Sequence, residues 1–151
     1  MIDVRLRAVT EADLPVFFEW QRDPEAARLS KIPGREWEEF LTHWRTKVLP
    51  NPDGLLRAIT ADGVLAGNIV SFPFRERRCV GYWLGRDFWG KGVGTTALRQ
   101  FLADVDQSRP LYIETDEGNA GSLHMAEKCG FERVGLEVEG DLRFVVLRLD
   151  D

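Results

Sequence analysis

The stretch FWGKGVGTTALRQF, residues 88–101, places Gly90, Gly92 and Gly94 within five positions and runs directly into an amphipathic helical pattern. A helix N-terminus leaves its first N–H groups without partners and carries partial positive charge, so a glycine-rich entry lets an anion approach those donors closely. Gly90, Lys91, Gly92, Val93, Gly94 and Thr95 are therefore read as a cradle for phosphate. The bland alternative is a tight strand-to-helix turn, for which one glycine would suffice. No G-x-x-x-x-G-K-(S/T) string occurs, which excludes a P-loop. A dinucleotide fingerprint counted from Gly90 and Gly92 meets Thr95 where its third glycine belongs, although Glu114, about twenty residues on, stands where a ribose-binding acid would sit.

Composition narrows the chemistry further. The chain has 151 residues, 44% of them hydrophobic, enough for one sizeable core and one domain spanning residues 1–151. Lysine and arginine total 20 against 25 aspartate and glutamate, a net charge of −5 that argues against a nucleic-acid binder and favours a cationic partner. Cys79 and Cys129 lie far apart, without CxxC or Cys/His spacing, so two reduced, buried thiols are expected, with no metal site and no disulfide. No apolar window is long enough to cross a bilayer, and a soluble, cytoplasmic protein is expected.

The elements that must position the loop follow from periodicity. VRLRAV (Val4 to Val9) alternates as a strand, and Thr10 with Asp13 makes a T-x-x-D start for a helix carrying Leu14, Phe17 and Phe18, with Pro15 tolerable near its beginning. After a break at Pro33 and Gly34, Trp37, Phe40, Leu41, Trp44 and Val48 recur at helical spacing; the two tryptophans suit core packing or the lining of an acceptor pocket. LLRAITA and VLAGNIVSF, joined by Asp62 and Gly63, read as an antiparallel hairpin. Arg75 to Arg78 form a charged turn into the strand Cys79 to Gly85, which feeds the glycine loop, a helix with Ala97, Leu98, Phe101 and Leu102 on one face, and the strand LYIET. This is a right-handed parallel crossover. A short helix from Asn119 to Cys129, closed by Gly130, precedes a final hairpin of FERVG and LRFVVLRL around Glu139 to Asp141. The crossover begins past mid-chain, too late for a doubly wound dinucleotide-binding sheet.

Two blocks then carry a family resemblance over essentially the whole chain. FWGKGVGT resembles the pyrophosphate-binding motif of the GNAT superfamily of N-acetyltransferases, (Q/R)-x-x-G-x-(G/A), here filled by Trp89, Gly90, Lys91, Gly92, Val93 and Gly94. Trp89 departs from the first position of that motif and resembles the branch containing ribosomal-protein N-terminal acetyltransferases, where YWL precedes the loop. NAGSLHMAEKCGF, Asn119 to Phe131, is similar to the family's N-x-x-(A/S)-x-x-x-x-E-K-x-G-F segment.

The resemblance implies an α+β fold: a strongly twisted mixed sheet of six or seven strands with about four helices and a parallel pair, Cys79 to Gly85 and Leu111 to Thr115, that splays apart. It implies acetyl-CoA as co-substrate, its pyrophosphate on the loop amides and its pantetheine arm pairing with Trp83, Leu84 and Gly85. Asn119 and Ser122 would face the pantetheine and the sulfur, with helix capping as the plainer role for Asn119. Lys91 and Lys128 could meet phosphates or simply be solvated. An amine would attack the thioester directly, with the carbonyl oxygen polarised by an N–H near Leu84. Where many members carry a tyrosine acid, this chain has Ala126, and Ser122 is the replacement donor to the leaving thiolate. Glu114, Glu137 or a water chain would take the amine's proton.

Three functions stand at this point: an N-acetyltransferase acting on a small amine or a protein N-terminus, a non-catalytic acyl-CoA-binding sensor, and a nicotinamide oxidoreductase. The acceptor's identity depends on residues 20–44 and on the final hairpin. A monomer and a homodimer are equally compatible with the residues.

Overall fold

A computed structural model describes residues 1–31 and 34–151, so the break expected at Pro33 lies outside the described residues. β1 (Val4–Arg7) leads through a 3₁₀ turn to α1 (Leu14–Gln21). The Thr10–Asp13 box forms, with the Thr10 N–H donating to Asp13 Oδ2 at 2.9 Å, and Pro15 falls in the first turn of α1, where it removes no helical hydrogen bond. β1 stops at Arg7, two residues short of the expected Val9. Arg7 grips Asp13 through both nitrogens, at 2.8 and 2.9 Å, and this pulls the chain off the sheet.

α2 (Pro24–Ser30) was not foreseen from the sequence. Its start is local chemistry, because Asp23 accepts from the Glu25 N–H at 3.0 Å and Pro24 supplies a preset φ at the first helical position. α3 (Trp37–His43) ends earlier than the apolar spacing suggests, and Trp44–Val48 continues as one wide π turn closed by the Leu49 N–H on the Trp44 carbonyl. Trp37 and Trp44 pack with Phe17, Phe18 and Phe40 in an aromatic cluster, so both take the core role.

β2 (Leu55–Ala61) and β3 (Val64–Phe74) form the expected hairpin on Asp62 and Gly63, both at positive φ. The next turn is tighter than expected. Arg75 and Glu76 alone make it, at φ 52 and 63, and β4 runs Arg77–Leu84 rather than Cys79 to Gly85. Then come α4 (Val93–Asp104), β5 (Leu111–Asp116), α5 (Ala120–Lys128), β6 (Glu132–Glu139) and β7 (Leu142–Leu149). Gly130, at φ 97, closes α5 as expected. The described residues thus contain five α-helices, one more than the sequence suggested.

The seven strands form one sheet in the order β1-β2-β3-β4-β5-β7-β6, antiparallel except between β4 and β5. This arrangement cannot be doubly wound and removes the dinucleotide reading. α4 and α5 cover one face, where Ala97, Leu98, Phe101, Leu123 and Ala126 join Ile69, Val80, Leu111, Ile113 and Leu147 in the main core. Cys79 is buried, while Cys129 is only half-buried, because its position at the α5 C-terminus leaves one side open; both are free thiols.

Candidate active site

The glycine loop is built by two different physical demands. Gly90 and Gly92 sit at φ 72 and 78, and a Cβ placed on either would meet nothing within 4 Å, so these two glycines serve backbone conformation and leave open space above them. Gly94 serves close approach, since a Cβ there would collide with Met125 Sδ of α5 and come within 2.9 Å of Leu84 Cδ1 of β4. Helix α4 is thereby seated against both elements, anchored by the buried Val93. Its first intrahelical bond from a described donor is the Thr96 N–H to the Gly92 carbonyl at 3.1 Å. Among the described residues, the N–H groups of Val93, Gly94 and Thr95 make no backbone bond outside this pattern, no side chain caps Gly92, and the first turn holds no acid. Three amides and the positive end of the helix dipole therefore face outward together. Lys91 and Lys128 are exposed, and Thr95 is half-buried.

The gap lies beside this loop. β4 pairs with β5 only at Cys79 and Tyr112, yet β4 stays paired with β3 as far as Leu84, and β5 with β7 as far as Asp116. Beyond Cys79 the two parallel strands therefore splay apart. The Gly85 N–H donates to the Ala66 carbonyl at 2.9 Å, and Gly67 stands opposite Leu84, so ladder alternation turns the backbone groups of Trp83 and Gly85 toward β3 and those of Tyr82 and Leu84 toward the gap. The Leu84 carbonyl accepts from Trp89 Nε1 at 3.0 Å, which fixes Trp89 at the loop entrance and leaves the Leu84 N–H facing the opening.

On the helix face of the gap, Asn119 caps α5 by accepting from the Ser122 N–H at 3.2 Å, the capping role weighed for it above, and its amide NH₂ remains available. Ser122 Oγ lies 2.8 Å from Tyr82 Oη. Burial pushes the Tyr82 phenol up to about 12. Ala126 is wholly buried in the core and offers nothing to the site.

On the opposite face, Cys79 Sγ is 3.9 Å from Glu114 Oε2 at the apex of the splay. Burial, with the Glu114 charge beside it, lifts the Cys79 thiol to about 11, so it stays protonated and unreactive. Glu114 is itself raised, first by burial and then by the charge and hydrogen bond of Glu137. The structure thus brings together two acids that stand 23 positions apart in the sequence, Glu114 of β5 and Glu137 of β6. They line a cavity of about 520 Å³ with Phe74, Arg75, Val138, Glu139 and Phe144. Arg75 bonds Glu137 at 3.2 Å and Glu139 at 3.0 Å, and Arg77 reaches Glu137 at 3.2 Å. Sequence reasoning missed Tyr82 and the two arginines. Tyr82 had a signal, because alternation with Val80 and Leu84 puts it on the helix face; the arginines had none, because their partners lie on another hairpin.

A helix N-terminus here abuts a gap between two parallel strands inside the sheet, an arrangement able to hold a phosphate-bearing, extended ligand. The model of the GNAT acetyltransferase domain matches residues 3–132, and the chain belongs to that family. Its activity is transfer of an acetyl group from acetyl-CoA to a primary amine.

Solved structures agree in fold. The spermidine N-acetyltransferase of Vibrio cholerae, in complex with CoA and spermine, superposes with a TM-score of 0.83 at 16% identity over 97% of this chain and 95% of that one. The aminoglycoside acetyltransferase AAC(6')-Ib, in complex with coenzyme A, gives 0.81 at 20% identity over 98% and 95%. A domain from Methanocaldococcus jannaschii gives 0.77 at 17% identity over 99% and 100%. No helix among the described residues is long and apolar enough to cross a membrane.

Proposed function

We propose that the acceptor is a small cationic amine with more than one positive charge, held in the acidic cavity at the apex of the splay. The observation that carries this reading is the meeting of Glu114, Glu137 and Glu139 around one cavity whose other walls are Phe74, Arg75, Val138 and Phe144; Arg75 pairs with Glu137 and Glu139, so three carboxylates face one guanidinium. Carboxylates attract ammonium groups, and the apolar walls suit the methylene stretches between them. The structurally similar spermidine and aminoglycoside acetyltransferases are named for acceptors of the same chemistry.

In this reading the diphosphate of acetyl-CoA rests on the amides of Val93, Gly94 and Thr95, with Gly90, Lys91 and Gly92 shaping the approach and Lys128 adding charge from outside. The pantetheine arm extends along Trp83, Leu84 and Gly85, past Trp89 and Asn119, and the Leu84 N–H polarises the thioester carbonyl. Glu114, raised by burial and by the Glu137 charge, takes the ammonium proton, with Glu137 as its hydrogen-bonded neighbour. The freed nitrogen bonds to the carbonyl carbon, the C–S bond breaks, its electron pair leaves on sulfur, to which the Ser122 hydroxyl donates, and the second proton the nitrogen sheds in becoming an amide passes to solvent. Free Cys79 and Cys129 suit a reducing, cytoplasmic setting.

The test is release of free thiol from acetyl-CoA with a panel of monoamines, diamines, polyamines, aminoglycosides and a peptide with a free N-terminus. Polycations should give the highest kcat/KM, declining as salt is raised. Equal rates with neutral-tailed monoamines, or turnover confined to the peptide, would remove the cationic acceptor; coenzyme binding without turnover of any amine would favour the sensor.

A further inference from the structure

Tyr82 has no part in the steps above, yet it closes the helix side of the gap. It lies on the portion of β4 that has left β5, and its side chain crosses to the first turn of α5, where Oη stands 2.8 Å from Ser122 Oγ and 3.3 Å from the Ser122 carbonyl oxygen. Those are the contacts of its hydroxyl among the described residues. Packing alone does not call for that hydroxyl, since a phenyl ring would fill the same half-buried place beside the main core. Its nearer partner is a second hydroxyl, with either oxygen able to donate, and the longer contact is donation to the Ser122 backbone carbonyl.

The consequence is one of proton counting. Each hydroxyl has one proton and two lone pairs. When one member of such a pair donates to the other, the receiving oxygen keeps its own proton free for a third group. The Ser122 N–H is already directed to Asn119 Oδ1, which fixes the helix turn carrying the serine. Backbone and side chain then hold Ser122 from two sides, with the open gap on the third.

We infer that Tyr82 is a positioning residue for acyl transfer: its phenolic hydroxyl donates to Ser122 Oγ and so turns the Ser122 proton toward the sulfur of the departing thiol. The inference rests on the reading of Ser122 as donor to that sulfur. Glu114 first takes one proton from the ammonium; as the freed nitrogen bonds to the carbonyl carbon, the C–S pair moves onto sulfur, and the second proton the nitrogen sheds in becoming an amide passes to solvent. Neither hydroxyl gives up its proton, because burial holds the phenol at about 12 whereas a simple thiol ionises at about 8.5, so the pair stabilises the thiolate by hydrogen bonding. The coenzyme leaves as thiolate and is protonated in solvent.

Four variants test this with acetyl-CoA and the best amine of the panel: Tyr82→Phe, Ser122→Ala, the double variant, and Ser122→Thr. Tyr82→Phe and Ser122→Ala should each lower kcat on the order of 10²-fold, as for loss of one hydrogen bond to a developing charge. The KM for acetyl-CoA and the coenzyme A affinity by calorimetric titration should stay unchanged. The double variant should be no slower than Ser122→Ala, because the two hydroxyls act as one unit. Ser122→Thr, which keeps the hydroxyl, should retain most of the rate.

A Tyr82→Phe kcat within threefold of wild type while Ser122→Ala is slow overturns the inference and leaves the Ser122 reading standing. Multiplying losses in the double variant also overturn it. A fast Ser122→Ala removes the Ser122 reading, and this inference with it. Coenzyme affinity that falls together with kcat in Tyr82→Phe marks the hydroxyl as structural and likewise overturns it.

Discussion

Replacing Gly92 by glutamate examines the anion cradle most directly. Gly92 is the N-cap of α4 at φ 78, with open space where a side chain would begin and the three outward amides immediately after it. Two costs must be separated. Any L-residue at that φ strains the backbone by about 1 kcal/mol, which lowers the melting temperature by about 2–4 °C in a chain of this size. That cost falls on folding. A carboxylate about 5 Å from a diphosphate bearing two charges is repelled by roughly 2 kcal/mol even at the dielectric of water. Disturbing one charge-assisted amide contact adds about 2 kcal/mol. The sum, about 4 kcal/mol, is close to a thousandfold in Kd.

Calorimetric titration with coenzyme A measures this, and Gly92→Ala is the control. Alanine carries the same strain without the charge, so it should share the loss of melting temperature and bind coenzyme A within about fivefold of wild type, roughly 1 kcal/mol. A Gly92→Glu Kd within threefold of wild type would mean that the amides of Val93 to Thr95 do not hold the diphosphate.

Two further expectations concern charge. Glu114→Gln should lower kcat about 10²- to 10³-fold and abolish the acid limb of the kcat/KM profile. A base must be ionised, and Glu114 is raised, so in wild type that limb lies above the ordinary glutamate value near 4.3, and a limb at or below it refutes the assignment. The same shift means the folded state holds this proton more tightly than the unfolded chain. Its stabilising share is full below the unfolded pKa and is lost as pH rises through the folded one.

Asp106 runs the other way. Burial alone would raise it, but hydrogen bonds from Ser108, Ser71 and Arg78 hold it far below the carboxylate range. It is 1% exposed and accepts from Ser71 Oγ at 2.6 Å and Arg78 Nε at 2.7 Å, which ties β3 and β4 to the segment before β5. Ser71→Ala should cost about 2 kcal/mol and Asp106→Asn about 3 kcal/mol in urea denaturation. That stability is present above the unfolded carboxylate pKa near 3.9 and is lost as pH falls through the folded value. Losses under about 0.5 kcal/mol would show that this clasp does not bear on stability.

Much of the architecture was legible because its causes are local. The Thr10–Asp13 box, the Asp62–Gly63 turn, the Asn119 cap and the Gly130 terminus each depend on neighbours within a few residues, and all four appear in the fold. The glycine loop belongs with them, because positive φ at Gly90 and Gly92 and free amides at a helix start are properties of a short stretch of chain. α2 escaped notice because one turn-forming pair, Asp23 and Pro24, opens a run of only seven residues, too short for periodicity to register.

The site's partners were of another kind. Sequence alone determined that a glycine-rich turn follows a strand and opens a helix, that the two cysteines stand far apart, and that Ala126 supplies no hydroxyl. Only the tertiary structure decided that β4 leaves β5 after Cys79, that Tyr82 meets Ser122 across the opening, and that Glu114 faces Glu137 beneath Arg75 and Arg77. An alternating strand specifies which side chains share a face, but not which strand lies beside it or where the two part. Those choices come from packing the whole sheet against α4 and α5, a condition no short stretch of residues contains.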